Sequence, residues 1–368
     1  MKKSILLIAL ILFSRSGFSQ PWERPLMICF SNNGITFTPA VVFQDSSGVP
    51  SLCKDSTGKL LAAFQWFPAP MNSLHWDSVA IKTSLDNGLT WSIPQPIVVQ
   101  NLPLNFQRPF DPTIVSLPGG QFRIYFSSGP PGLNMISTYS AIGTDGVNYT
   151  FEPGARFTQA GTNVIDPAVT IFKDTFQYTA PKGPPQAGTF HAISTDGLNF
   201  TQQPDIISDS AHNWTGNLMV DSLAMKFYGS GAMGANLWMR STPNATVWDP
   251  YLTTNVAGGD PAVVKISAGN YVMIFTGAPS ITAVNDPENS DGINVYPNPA
   301  NNILVINSSL PGLTFDVKIF DISGKEVSTR TMTPGKNTLD ISLLKNGIYF
   351  LKIMREEKLV MKTFVVVR

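Results

Sequence analysis

Ser84-Leu85-Asp86-Asn87-Gly88-Leu89-Thr90-Trp91 has the makings of a tight hairpin turn. Its aspartate can accept hydrogen bonds from the amides of its own turn, its glycine supplies a positive φ, and the closing aromatic tucks beneath the hairpin. Shortened copies recur at Ser31-Asn32-Asn33-Gly34-Ile35-Thr36-Phe37, Gly143-Thr144-Asp145-Gly146-Val147-Asn148-Tyr149 and Ser194-Thr195-Asp196-Gly197-Leu198-Asn199-Phe200. A degraded fifth is read at Ser241 to Trp248. One such turn says little. A near-constant period of about fifty residues between closing aromatics says that a supersecondary unit is repeated.

A second series is interleaved with the first. Asp111-Pro112-Thr113-Ile114-Val115, Asp166-Pro167-Ala168-Val169 and Asp260-Pro261-Ala262-Val263 each begin a strand-turn-strand unit, and Val49-Pro50-Ser51-Leu52 begins one without the aspartate. Matching Asp221-Ser222 to Asp174-Thr175 places Asn213 at the corresponding start of the remaining unit. The phase of the two series is informative. A hairpin signature precedes the first strand-turn-strand unit and none follows the last, so residues 25–44 are expected to complete the sheet begun by residues 260–277. Closure of that kind removes exposed sheet edges. The expected architecture is all-β: a five-bladed β-propeller over residues 25–277, with a six-bladed ring as the alternative.

The hairpin signature resembles the Asp-box of sialidase-like propellers. That resemblance implies turns at the blade periphery, and so a structural role for Asn33, Asp86, Asp145 and Asp196.

Both ends of the chain carry export signals. Lys2 and Lys3 precede the apolar run Ile5 to Phe13, and Gly17-Phe18-Ser19 offers small residues where a signal peptidase reads, so residues 1–19 read as a signal peptide. The run is too short to span a bilayer, and no later segment approaches eighteen uninterrupted apolar residues, so no transmembrane segment is expected in the mature chain. Residues 278–292 are polar and turn-rich and read as a linker. Beyond them come Val295-Tyr296-Pro297-Asn298-Pro299, the turn Gly324-Lys325-Glu326-Val327, the strand Gly347-Ile348-Tyr349-Phe350-Leu351 and a basic terminus at Arg368. This order resembles the type A C-terminal sorting domain of the type IX secretion system. It implies a small immunoglobulin-like β-sandwich over residues 293–368, the type IX machinery as partner, and release or surface attachment after outer-membrane passage.

Charge limits the other partners. Residues 21–292 hold 12 Lys and Arg against 19 Asp and Glu, a net of −7, which gives a nucleic acid no basic footprint. Cys29 and Cys53 are the only cysteines, and His75, His191 and His212 are scattered, so neither a metal site nor a cofactor is expected. A disulfide is compatible with the exported compartment, and two buried unpaired thiols are the simpler reading.

Chemistry is expected where the inner strands begin. Five-bladed glycosidases resembling the arabinanase and fructosidase families place acidic residues there, which makes Asp111, Asp166 and Asp260 the candidate catalytic groups. Carboxyls around one axis raise one another's pKa, and glycosidic cleavage needs an acid and a base of differing pKa. The families also use a glutamate acid; between signal and tail the chain has only Glu23, Glu152 and Glu288. Arg108, Asn213, Trp66 and Trp214 are the candidate ligand-binding residues, the tryptophans for stacking on a sugar ring. An aspartate before proline also starts a strand well without any ligand. Three readings stay open: glycan binding, glycoside hydrolysis, and a non-catalytic protein-interaction or adhesion surface.

Overall fold

The computed structural model describes residues 24–184, 187–277, 293–297, 300–308, 314–321, 324–333, 335–355 and 358–368. The expected signal peptide and linker lie outside them. The chain folds as two compact units, Met1–Ser280 and Ile281–Arg368. Both are all-β, and among the described residues no helix is long and apolar enough to cross a membrane.

The first unit holds five sheets among its described residues. Sheet one runs outward through Ser47–Lys54, Leu60–Trp66, Ser78–Ser84 and Gln95–Pro96. Sheet two runs through Phe110–Ser116, Phe122–Ser128, Ser137–Gly143 and Asn148–Phe157, with Val98–Gln100 added in parallel at its outer edge. Sheet three comprises Ala168–Phe172, Thr175–Pro181, Thr189–Ser194 and Thr201–Ile206; sheet four, His212–Asp221, Ala224–Gly231, Asn236–Thr242 and Leu252–Ala257. Sheet five is composite. Gly259–Ser267 and Asn270–Thr276 supply its inner half, and Leu26–Ser31, paired antiparallel with Tyr271–Thr276, and Val41–Gln44 supply the outer half.

Why these residues form these sheets follows from what lies between them. One apolar cluster fills each gap. Leu61, Ala63 and Ile81 meet Ile114, Ile124 and Phe126 between sheets one and two. Tyr125 and Phe157 meet Val169 and Tyr178 between two and three, and Ala168 and Phe172 meet Trp214 and Phe227 between three and four. Met219 and Tyr228 meet Cys29 and Met273 between four and five, and Leu26 and Ile274 meet Ala62 and Phe64 between five and one. The fifth gap returns to the first sheet, and the five innermost strands touch their neighbours in the same cyclic order. Strands covered on both faces read as near-continuous apolar runs, as in Leu60–Phe64. Cys29 and Cys53 are buried and unpaired, and burial pushes both thiols up to about 12.

The hairpin turns clasp neighbouring sheets. Asp196 Oδ1 accepts from the amides of Leu198 and Asn199 at 2.8 and 2.9 Å, and Gly197 presents its carbonyl to Tyr125 Oη of sheet two at 2.9 Å. Asp145 and Asn33 accept two turn amides each in the same way, and Asp86 takes the amide and hydroxyl of Thr90. Gly34 carbonyl receives Tyr228 Oη of sheet four at 2.9 Å. The degraded fifth turn is centred on Asn244, which accepts from Thr246 and Val247 at 3.0 and 2.9 Å.

The second unit packs a three-stranded sheet (Ile293–Tyr296, Ile303–Ser308, Gly335–Asp340) on a four-stranded one (Glu326–Met332, Phe315–Asp321, Gly347–Arg355, Lys358–Val366). Leu304, Ile306, Val317, Ile319, Leu351 and Phe364 form the core between them.

Candidate active site

The inner strands of sheets one, two and five each carry a bulge near their start. In sheet two the pairing jumps from Phe110–Ser127 to Thr113–Tyr125, in sheet five from Gly259–Thr276 to Ala262–Ile274, and in sheet one from Gly48–Gln65 to Ser51–Ala63. The residue before proline lies in each bulge, and the extra residue bends the strand toward its neighbours. Val49, Asp111 and Asp260 sit there, and Asp166 precedes Pro167 at the start of sheet three, all four at positive φ between 46° and 52°. For a β-branched valine that conformation is strained.

Sheet four corrects the expected alignment. Its closing pair is Asp221–Ala224, whereas that of sheet three is Phe172–Thr175, so the residue matching Asp166 is Thr215 and not Asn213. The reason lies at the turn, where Asp221 matches Phe172 and not Asp174; beyond Gly216 the strand bulges, pairing jumping from Asn213–Ser230 to Gly216–Gly229. Thr215 Oγ1 donates to Ser230 Oγ at 2.8 Å, and Asn213 Oδ1 is buried with no partner among the described residues.

The three aspartates are brought together. Asp166 N donates to Asp111 Oδ2 at 3.3 Å, and Asp260 N donates to Ser230 Oγ at 2.9 Å. All three residues are half-buried at their surfaces but hemmed in by protein, and desolvation is the leading cause that lifts their pKa values. Asp111 is raised to about 7, with Asp260 and Asp77 adding repulsion. Asp166 is raised well above the usual carboxylate range, next by the charges of Asp111 and Asp260. Asp260 is raised despite Thr215, Arg24 and Thr276. Such groups titrate together, and at neutral pH part of the cluster carries protons.

Their access differs. Asp166 and Asp260, with Val49, Pro112, Pro167, Gly216 and Asn217, enclose an axial void of only about 10 Å³, roughly one water molecule. Asn217 Nδ2 crosses the axis to Pro50 O at 2.8 Å. Asp111 instead lines an open cleft of about 300 Å³ between sheets one and two, with Gly48, Val49, Gln65, Phe67, Asp77, Gln107 and Phe110. The cleft is therefore where a ligand can reach an acid of the ring. At the far ends of the inner strands all five sheets line a further channel of about 310 Å³, where Lys265 Nζ is held by Asp221 at 2.5 Å.

The other candidates from sequence lie elsewhere. Trp214 is 1% exposed and packed among Phe227, Trp238 and Trp248, so it is core and offers no face to a sugar. Trp66 is half-buried against the cluster between sheets five and one, outside the cleft lining. Arg108 Nη1 donates to Leu74 O and Trp76 O, both at 3.2 Å, and lines a neighbouring cleft with His75. Glu152 is bound bidentately by Arg123 at 2.9 and 3.0 Å and receives Ser140 Oγ at 2.6 Å, so it ties strands together away from the ring.

Sequence reading missed Asp77 and Gln65. Asp77, at φ 57°, closes the loop before Ser78–Ser84, and Gln65 Nε2 donates to its Oδ1 at 2.6 Å. A glutamine inside the apolar run Leu60–Trp66 was the available signal.

Comparisons with known proteins bear on the two units differently. Residues 294–367 match the model of the secretion system C-terminal sorting domain. No curated protein matches the chain. Among solved structures, an α-L-arabinofuranosidase from Clostridium thermocellum is similar at 12% identity, covering 79% of this chain and 95% of its own, with a TM-score of 0.48. A GH43_1 enzyme from Xanthomonas citri is similar at 12% identity, 63% and 87% coverage and a TM-score of 0.46. A family 117 glycoside hydrolase from Zobellia galactanivorans follows at 10% identity, 66% and 92% coverage and 0.43. The chain's C-terminal 74 matched residues thus resemble a sorting domain of a secretion system, and that is the family likeness its sequence carries.

Proposed function

We propose that the first unit is a five-bladed β-propeller with a carbohydrate-directed role, and that the second is an immunoglobulin-like sandwich that sends it out through the type IX secretion system. The observation that carries the glycan reading is the open cleft itself. Asp111, raised to about 7, lines it together with Asp77 and the aromatic rings of Phe67 and Phe110. Carboxyls that accept or donate to hydroxyls, beside flat apolar rings that face C–H groups, suit a sugar. Asp111 is the contact group, and burial, followed by the charges of Asp260 and Asp77, holds its proton. Hydrolysis is the active form of this reading: protonated Asp111 would give its proton to the leaving oxygen while Asp77 accepts one from the attacking water. Glycan binding without turnover is the other form, and a residue's pKa near neutrality favours the first.

The mature chain should bind members of a glycan array or cleave chromogenic glycosides. Asp111→Asn should abolish both while leaving the melting temperature within a few degrees. Loss of folding with retained ligand in the soluble fraction would show a strand-capping role instead. For export, removing residues 293–368 should leave the first unit folded and periplasmic in a type IX host; wild-type levels in the medium without lysis would refute that part.

A further inference from the structure

Gln65 gives the cleft a selectivity, and the argument rests on the glycan reading above. Its side chain is on the second strand of sheet one, opposite the bulge at Gly48, and the residue is only 5% exposed. Its amide faces Asp77, and an amide beside a carboxylate must turn its N–H toward it, which Nε2 does at 2.6 Å. That fixes Oε1 as the remaining acceptor. Oε1 is buried and has no partner among the described residues, a state that is unfavourable until a donor arrives.

The rest of the lining is of the same kind. Asp77, Asp111 and Gln107 bring further acceptors, and the described lining contains no Lys, Arg or His. Arg108, on the strand entry beside it, lines a neighbouring cleft and donates through Nη1 to the carbonyls of Leu74 and Trp76. We infer that the cleft takes an uncharged, hydroxyl-rich sugar ring, with Gln65 as its specificity-determining residue: Oε1 accepts one ligand hydroxyl, and Nε2 holds Asp77 in place to accept another. A sugar carboxylate entering the cleft would meet Asp77 and Asp111 with no Lys, Arg or His in the described lining to balance its charge, and desolvating it there is unfavourable. Burial raises Asp111 to about 7, so near pH 7 it is only partly ionised and offers a sugar ammonium less than a full counter-charge. Rejecting an ion by leaving it unpaired is how a cleft of acceptors discriminates.

The test uses the full mature chain and three matched probe sets: methyl glycosides of neutral hexoses and pentoses, the corresponding uronic acids, and the corresponding 2-amino sugars. Titration calorimetry at pH 7 should find neutral sugars bound at least tenfold more tightly than either charged class, and soaked crystals should place a ring hydroxyl on Gln65 Oε1. Gln65→Leu should weaken neutral sugars about tenfold and bring the neutral-to-uronate ratio toward one, with melting within a few degrees of wild type. Gln65→Met serves the same purpose should the leucine variant fail to fold. Uronates or amino sugars bound as tightly as neutral ones would overturn the inference. So would neutral binding that Asp111→Asn abolishes and both Gln65 variants leave unchanged, an outcome that keeps the glycan reading. If no sugar of any set binds, the glycan reading falls and this inference falls with it.

Discussion

Ala245 occupies the place that Gly34, Gly88, Gly146 and Gly197 hold in the other four hairpin turns, and it does so at φ 63°. A Cβ at positive φ crowds the neighbouring carbonyl, at about 1 kcal/mol, and this one is 7% exposed, so it is also packed. Ala245→Gly should therefore stabilise the first unit by about 0.5–1 kcal/mol, the relief exceeding glycine's extra chain entropy. Thermal melting would read this as a rise of about 1–4 °C, and an unchanged or lower midpoint would refute it. Val49 carries a similar strain at φ 46°, but it borders the candidate cleft and the axial void. Strain retained there, where glycine would relieve it, fits a position whose side chain fills space near a ligand.

Single elements explain why some of this was legible in the sequence and some was not. The turns at Asp86, Asp145 and Asp196 bond within four residues of themselves, so their chemistry is written locally. The Asp-Pro starts were visible for the same reason: aspartate at a bulge and proline after it are adjacent residues. Asn213 was misplaced because Asp221-Ser222 looks like Asp174-Thr175 in sequence, whereas Asp221 closes its turn as Phe172 does, two residues earlier. Asp77 and Gln65 were missed because their meeting is set by a loop that folds back over the strand end. Trp214 was misjudged because an aromatic near a strand end looks alike in sequence whether it faces a ligand or another sheet.

The Arg123–Glu152 pair belongs to this scale too. Arg123 is 6% exposed, and besides Glu152 it donates to Asp196 O at 2.8 Å, joining sheet two to the turn of sheet three. Glu152→Ala would leave a buried guanidinium unpaired, and truncating one partner of such a pair is destabilising by about 3–5 kcal/mol. Glu152→Gln keeps the acceptor oxygen and should lose less. Neither change should alter ligand affinity of the folded fraction, because the glutamate lies outside the cleft lining. A Glu152→Gln protein that melts normally and has lost turnover would make this glutamate catalytic after all.

Over the whole molecule, the two sets of aspartates pull stability in opposite directions with pH. Turn hydrogen bonds hold Asp86, Asp145 and Asp196 below the ordinary carboxylate value of 3.8, and Lys226, Lys265 and Tyr271 do the same for Asp221 despite its burial. A lowered native pKa means that the unfolded chain binds protons first, so this stability is present above about pH 4 and is lost as the pH falls through the native values. Asp111, Asp166 and Asp260 are the reverse. Between about pH 4 and 7 the unfolded chain releases protons that the native cluster retains, so the native state loses relative stability as pH rises, levelling off only above the raised values. The sum is a melting temperature that peaks near pH 4–5 and declines toward neutrality. Asp111→Asn together with Asp166→Asn should flatten the decline and raise the midpoint at pH 8 by several degrees, while leaving pH 4 nearly unchanged. Asp196→Asn should instead lower the midpoint at pH 6 and flatten the acid limb. A midpoint that climbs steadily from pH 4 to 8 in the wild-type chain would mean that the axial carboxyls are ionised in the fold at little expense. A cluster so easily charged would not hold the proton that Asp111 is proposed to give.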